Sequence, residues 1–258
     1  KTKNDGYFNS SDHIVYYTTD PFFYELNNTP VDYELIVTNL RNGDVITGKT
    51  QLIEDVRLQN PKSFPNANYP KEYSTVSFIR SCSSEGTCFL TTFTIEWSPT
   101  TNAKKHEAIV RFFYDEINTV TNDTTVKYYD YFAGSVVNTV GSNSSSTISI
   151  NFSPEQFYTA IGQNIPVLSN VERIRPRIEI LMSIADNDFS LYIDAVKPSN
   201  DVNQNKPSYS NLSNGLGLFS ARNYRNVVSG QEQLFFTFPS YQMLVNNDLT
   251  KHLNFRTN

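Results

Sequence analysis

The chain has 258 residues, enough for one large β domain or two small ones, and aromatic residues make up 14% of it. Charged residues are only 18% and the formal net charge is −5, so the composition argues against a nucleic-acid-binding protein. No stretch approaches the roughly 20 consecutive apolar residues of a membrane helix, and no signal peptide is visible at Lys1.

The first quarter of the chain predicts β-strands and a hairpin. Residues 31–40 combine β-branched and aromatic side chains, and Asn42-Gly43 is a strong hairpin turn before a returning strand. A loop containing Pro61, Pro65 and Pro70 follows. A domain boundary after this loop is one interpretation, with an N-terminal β unit at 1–74 and a β-sandwich domain at 75–258. One continuous sandwich is the alternative.

The two cysteines, Cys82 and Cys88, flank the turn sequence Glu85-Gly86 between two β-rich segments. A disulfide across such a hairpin is geometrically reasonable, and metal binding needs more ligands than this pair offers. Two free thiols are the alternative. We predict a disulfide that closes a small loop, contributes about 2 kcal/mol and indicates a periplasmic or extracellular setting.

The segment around Trp97 points to a sandwich. A strand ends in Trp97, a Ser-Pro turn follows, and a second strand begins near Glu107. This pattern resembles fibronectin type III and immunoglobulin domains, in which an inward tryptophan packs between the sheets. We predict a mainly β fold, an immunoglobulin- or fibronectin III-like antiparallel β-sandwich with one or two short helices. Trp97 is expected in its core rather than against a ligand.

One segment interrupts the β pattern with several signals for a helix start. Ser153 suits the N-cap, Pro154 suits the first helical position, and Gln156 stands where a capping box needs it. Phe152 and Phe157 occupy the two positions of a hydrophobic staple. We therefore predict a short helix near 154–165 that packs on a sheet.

The later part of the chain predicts another strand and a last helix. Over residues 175–196, Ile178, Ile180 and Met182 alternate with their neighbours, as in a half-buried strand. Asp186-Asn187-Asp188 fits a turn or a cation site, and the missing glycine and distant glutamate of a calcium loop favour the turn. The C-terminal segment predicts a short helix capped by Ser240.

The sequence contains no catalytic signature. Its three histidines, His13, His106 and His252, stand outside any zinc-protease motif, and no nucleophile-elbow or thiol-redox motif occurs. Neighbouring acids such as Asp115 and Glu116 point to opposite faces of a strand, where we expect a solvated strand end rather than paired acid–base chemistry. We predict no catalytic, metal-binding or cofactor-binding residues.

A glycine-containing motif late in the chain, NLSNGLGLFSAR at 211–222, is predicted to be scaffold. It lacks the third glycine of a dinucleotide-binding loop and the Lys-Ser/Thr of a phosphate-binding loop. Gly215 and Gly217 are therefore expected to permit a positive φ or the close approach of another backbone. Leu216, Leu218 and Phe219 are expected to pack inward.

The order of these segments resembles a group of Bacteroidota outer-membrane lipoproteins of unknown function. Members often carry an Asn-x-x-x-Gly-x-Gly-x-Phe motif late in the chain and a short Leu-x-Phe ending. This chain matches the motif at Asn211, Gly215, Gly217 and Phe219, and the ending at Leu253 and Phe255. The resemblance implies export on an N-terminal lipid anchor upstream of Lys1 and, for some members, a neighbouring gene for a TonB-dependent transporter. It implies no catalytic residues.

We therefore predict a non-enzymatic, exported lipoprotein of the cell envelope, facing the periplasm or the cell surface. It would be a binding or accessory module that engages a TonB-dependent outer-membrane transporter, a glycan or a peptide, because exposed aromatic side chains suit such contacts. A structural or adhesive surface sandwich is the second hypothesis. A hydrolase with a site assembled from scattered residues is the third.

Overall fold

The computed structural model describes residues 16–61, 75–83, 88–139, 146–197, 209–226 and 233–257. The fold is mainly β, with 45% strand and 17% helix, as the sequence predicts. The strands are β1 (Glu25–Leu26), β2 (Thr29–Pro30), β3 (Asp32–Thr38), β4 (Val45–Gln51), β5 (Leu58–Asn60), β6 (Thr75–Val76), β7 (Ile79–Cys82), β8 (Cys88–Leu90), β9 (Phe93–Trp97), β10 (Lys105–Asn118), β11 (Thr124–Val137), β12 (Ile148–Phe152), β13 (Val171–Ala185), β14 (Arg222–Asn226) and β15 (Leu234–Phe236). The helices are α1 (Pro154–Asn164), α2 (Asn187–Val196) and α3 (Phe238–Asn246), and Lys251–Leu253 forms a 3-10 turn.

A six-stranded sheet forms the centre of the fold. Its order is β11-β10-β13-β15-β6, and β14 pairs with the C-terminal part of β13. β10 is paired along its length with β11 on one side and β13 on the other, both antiparallel. Alternate side chains of β10 are buried, namely His106, Ala108, Val110, Phe112 and Tyr114. Because side chains alternate along a strand, the sheet has a buried inner face and a second face, which we call the outer face.

A three-stranded sheet in the order β12-β9-β5 and helix α1 cover the inner face. Trp97 of β9 is fully buried, and its ring centroid lies 5.2 Å from that of His106 on β10. Phe157 of α1 is also fully buried, 5.8 Å from Phe112 between ring centroids. The finer immunoglobulin-like topology is not confirmed, because β15 and β6 form a parallel pair within the large sheet.

Helix α1 begins at Pro154 as the sequence predicts, but the predicted capping box does not form. The Ser153 side chain makes no capping hydrogen bond. The ring centroids of Phe152 and Phe157 are 5.9 Å apart, and the Phe157 N–H donates to the Ser153 carbonyl at 3.1 Å. The fixed φ of proline and the packing of these two rings are sufficient to start the helix here.

The strand predicted over 175–196 is wrong in its second half. β13 ends at Ala185, and Asp186 is the N-cap of α2, its Oδ1 accepting from the Phe189 N–H at 2.8 Å. Asp186 therefore starts a helix rather than a simple turn. The error arose because the alternating pattern of β13 was extended past a strong N-cap residue.

The predicted Ser240 cap is also wrong. α3 begins three residues earlier than predicted, at Phe238, with Thr237 as its N-cap. Ser240 is fully buried inside the helix, where its hydroxyl accepts from the Phe78 N–H at 2.9 Å. Ser240 therefore connects the helix to the chain between β6 and β7 rather than starting it.

The N-terminal hairpin of β3 and β4 forms as predicted, and Gly43 in its turn has φ +79°. The predicted boundary between 74 and 75 adjoins residues 62–74, which lie outside the described residues, so the division stays a prediction. From the segment before it, β5 pairs with β9, and Ile53 and Val56 belong to the same buried cluster as Ile95.

The predicted disulfide is confirmed. Cys82 and Cys88 are bonded and join the hairpin of β7 and β8. The predicted Glu85-Gly86 turn lies outside the described residues.

Replacing Cys82 and Cys88 together with serine is expected to lower the free energy of unfolding by about 2 kcal/mol, because the bond closes a short loop in the unfolded chain. Urea unfolding of both proteins, with and without a thiol reductant, measures this effect. The reductant should shift the wild type towards the variant and leave the variant unchanged. A variant as stable as the oxidised wild type would contradict the expectation.

Candidate functional site

The outer face of the central sheet carries exposed aromatic side chains. Tyr128 and Phe132 of β11 are 57% and 59% exposed, and Tyr224 of β14 is 52% exposed. Phe113 of β10 lies opposite Tyr128 in the sheet, and their ring centroids are 5.8 Å apart. These residues alternate with inward-facing ones, so the strand period places them together on one side.

An arginine and an aspartate form a rigid pair in the middle of this face. Arg111 of β10 donates from Nε and Nη2 to the two carboxylate oxygens of Asp130 on β11, at 2.7 and 2.8 Å. The guanidinium also lies 4.4 Å from the centroid of the Tyr128 ring. The hydrogen bonds to Asp130 raise the pKa of Arg111 further above its ordinary value. The two hydrogen bonds to Asp130 therefore hold the charged guanidinium against the tyrosine ring.

A second charge cluster lies towards the C-terminal end of β10. Arg177 of β13 donates to Asp115 of β10 at 2.8 Å, and Arg175 lies 3.4 Å from the same carboxylate. The Arg177 guanidinium lies 5.6 Å from the centroid of Phe113. The arginines of this face are thus held against carboxylates and rings that belong to the same sheet.

The sequence interpretation of Asp115 and Glu116 as a solvated strand end is wrong. Asp115 is 5% exposed and pairs with Arg177, whereas Glu116 accepts from the buried Arg173 at 3.0 Å. The two carboxylates do serve opposite sides of β10, as strand geometry requires. Asp115 is buried and the Glu116 side chain is 14% exposed, and each carboxylate is paired with its own arginine on β13.

The outer face is large enough to contact a protein. β10 has 14 residues, which at about 3.3 Å per residue gives a length of about 46 Å. Four strands spaced about 4.8 Å apart give a width of about 19 Å over the half where β14 is present. With three strands over the other half, the whole face measures roughly 770 Å². Lys105 and Asp115 at its two ends are buried, so the exposed part is smaller than the ~800 Å² that each partner contributes to a standard interface.

The glycine motif lies elsewhere, packed on the hairpin of β3 and β4. A Cβ on Gly48 of β4 would come within 2.6 Å of the Leu212 side chain, and one on Gly217 within 2.9 Å of it. Gly217 has φ +155°, at the edge of the region that favours glycine. The absence of side chains at both positions therefore lets Leu212 fit between the loop and the hairpin.

Hydrogen bonds from Asn211 close this loop. Its amide nitrogen donates to the Phe219 carbonyl at 2.8 Å, and its Oδ1 accepts from the Phe219 N–H at 2.9 Å. The same nitrogen reaches Asp188 in the first turn of α2 at 2.7 Å. Gly215 packs against Ile46. The prediction that Leu216 packs inward is wrong, because it is 87% exposed.

The described histidines are not arranged for catalysis with a carboxylate. His106 is fully buried, neither ring nitrogen has a hydrogen-bond partner among the residues that the structure describes, and burial lowers its pKa to about 4. His252 Nε2 lies 3.0 Å from the Gly162 carbonyl oxygen, and His13 lies outside the described residues. Within the described ranges, no group of three acidic, histidine or cysteine side chains is placed to hold a metal ion.

No protein family, no curated protein and no solved structure matches this chain. Among the residues that the structure describes, no helix has the length and apolar character needed to cross a bilayer. The resemblance to outer-membrane lipoproteins therefore stays a prediction.

The outer face was not predicted from the sequence. A strand was predicted from near Glu107, without an assignment of the side chains that face away from the core. Aligning the two strands about their turn brings Phe113 beside Tyr128, Arg111 beside Asp130, and Ile109 beside Phe132. The alternation of aromatic and charged residues along these two strands was the sequence signal that could have indicated this surface.

Proposed function

We propose that this protein is a non-enzymatic binding module of the cell envelope, held there by an N-terminal lipid anchor, and that its outer face docks a partner protein. The observation that carries the proposal is the group of exposed aromatic side chains around Arg111. Protein interfaces are enriched in tyrosine, phenylalanine and arginine at their centres and depleted in lysine. Contiguous apolar surface on a soluble domain commonly marks such an interface.

The pairing of charges within the sheet favours a protein over a charged small molecule. Arg111 is neutralised by Asp130, and Arg177 is neutralised by Asp115. A partner therefore covers this surface without supplying counter-charges, and the cost of leaving a buried charge unpaired does not arise. The whole face, roughly 770 Å², also offers more surface than a short glycan would cover.

The outer face is also preorganised for binding. The Arg111 side chain is fixed by two hydrogen bonds and lies over Tyr128. Side chains that are already ordered lose less conformational entropy on association. The resemblance to lipoproteins encoded beside TonB-dependent transporters makes such a transporter the partner that we favour.

Site-specific photocrosslinking in the native cells tests the location of the interface. A photoreactive phenylalanine analogue at Phe132 is expected to give one discrete crosslinked species, because Phe132 is 59% exposed on the outer face. The matched control is the same analogue at Leu216, which is 87% exposed in the loop beside the β3–β4 hairpin. Identical crosslinking patterns at both positions, or none at Phe132, would contradict the proposal.

A further inference from the structure

A cavity of about 160 Å³ lies between α2 and the central sheet, at one end of the outer face. It is smaller than the ~300–1,000 Å³ typical of sites for drug-sized ligands, so it suits a compact molecule. Its sheet side presents polar groups and its helix side presents apolar ones. The lining residues that matter are Lys105, Glu107, Ser183, Arg222, Phe189 and Ile193.

The polar side of the cavity has an excess of positive charge. The Lys105 side chain is only 10% exposed, and its Nζ lies 3.1 Å from Glu107 Oε1. Arg222 donates from Nε and Nη2 to the Ser183 hydroxyl at 3.3 and 3.1 Å. In the part of the chain that the structure describes, no carboxylate lies within ion-pair distance of Arg222. Two cations and one carboxylate therefore line the cavity.

A further carboxylate near the cavity is already neutralised. Asp194 of α2 lies close enough for Lys105 to contribute to its lowered pKa, but the main cause of that lowering is the hydrogen bond from Lys197. Lys197 Nζ lies 2.6 Å from Asp194 Oδ1. The unbalanced charge of the cavity therefore belongs to Arg222.

The apolar side of the cavity orients the arginine. The Arg222 guanidinium lies 5.9 Å from the centroid of the Phe189 ring, within the range of a cation–π contact. Ile193, one turn further along α2, lines the same wall. A planar guanidinium held between a ring and a hydroxyl presents its remaining N–H groups as a fork that matches a carboxylate.

We propose that this cavity binds a small organic acid with a short apolar chain. Arg222 and Lys105 would hold the carboxylate, and the chain would lie against Phe189 and Ile193. Glu107 keeps Lys105 oriented and restricts the site to a single negative charge. This site lies at the α2 end of the outer face, away from Tyr128 and Phe132, and does not depend on a partner protein.

Titration with sodium butyrate, followed by two-dimensional NMR of the folded protein, tests the proposal. Saturable shifts at the cavity are expected with a dissociation constant of about 1 mM, equivalent to about −4 kcal/mol. Butyramide at the same ionic strength has the same shape without the charge and should not bind. Absence of saturation well above this concentration, or equal binding of butyramide, would overturn the proposal.

Three variants locate the site. Arg222→Gln is expected to weaken butyrate binding at least tenfold, and Ile193→Trp, which fills the cavity, should abolish it. Arg111→Gln is the matched control, since it removes an arginine that is already paired on the same sheet. Equal weakening by Arg222→Gln and Arg111→Gln would indicate nonspecific charge attraction and refute the site. Arg222→Gln should leave partner recovery unchanged, so failure here and failure of the docking proposal are distinguishable.

Discussion

Replacing Arg173 with methionine is expected to lower the free energy of unfolding by about 3–5 kcal/mol, because it breaks a largely buried ion pair and leaves the Glu116 carboxylate without its partner. The Arg173 side chain has no exposed area, and that of Glu116 is 14% exposed. The guanidinium donates to Glu116 Oε2 at 3.0 and 3.2 Å. It also donates to the carbonyls of Leu253 and Pro166, at 2.6 and 2.8 Å.

The Arg173 backbone adds to this role by holding the end of the chain. Its N–H donates to the Asn254 carbonyl at 3.1 Å, and its carbonyl accepts from the Arg256 N–H at 2.9 Å. Phe255, between them, is buried and lies 5.9 Å from Phe112 between ring centroids. Loss of the Arg173 side chain therefore also loosens the C-terminal segment from the core.

Urea unfolding followed by tryptophan fluorescence measures the effect. The control is Arg256→Met, because Arg256 is 58% exposed and pairs with Glu172 at 2.9 Å. Exposed pairs contribute about 0–1 kcal/mol, so this variant should remain close to the wild type. Equal losses in the two variants would show that burial of the Arg173 ion pair is not what stabilises this end of the sheet.

The second large effect is a loss of stability in acid that originates at His106. The ring is fully buried against Trp97, and burial lowers its pKa from 6.5 to about 4. As the pH falls below 6.5, the unfolded chain binds a proton at this site while the folded chain does not until about pH 4. The contribution of neutral His106 to the free energy of unfolding is therefore fully present above pH 6.5. It is lost progressively as the pH falls from 6.5 to 4.

The size of the loss follows from the two pKa values. At about 1.4 kcal/mol per pH unit, the difference corresponds to about 3 kcal/mol. Urea unfolding at several pH values between 7 and 4 should show this loss in addition to the contribution of the carboxylates. In His106→Leu that extra loss should disappear, so the variant gains stability relative to the wild type as the pH falls. Parallel pH profiles for the two proteins would contradict the assignment to His106.

Sequence patterns predicted the strands of this fold better than its helices and its surface. The alternation in β13 and the Asn42-Gly43 turn are local signals, and both correspond to elements in the structure. The same alternation led to a strand prediction over the residues of α2, although Asp186 caps a helix there. The burial of Asp115 was missed because it depends on Arg177, which is 62 residues away in the sequence.

The candidate surface illustrates the same limit. Taken one at a time, Arg111 and Asp130 are typical of solvated charges, and Tyr128 is typical of a β-strand. Only the register of β10 against β11 places the guanidinium over the tyrosine ring and the carboxylate beside it. The cavity at Arg222 forms where β10, β13, β14 and α2 meet, and no local sequence pattern predicts that arrangement.

The most direct test of docking at the outer face is quantitative recovery of a partner from detergent-solubilised native membranes. The tagged wild type, the double variant Tyr128→Ala/Phe132→Ala and the control Leu216→Ala would be compared by mass spectrometry, after thermal unfolding shows that all three are folded. We predict one stoichiometric partner with the wild type and the control, and at least tenfold less with the double variant, since central aromatic residues each contribute about 2 kcal/mol or more. Equal recovery with all three proteins would contradict docking at the outer face.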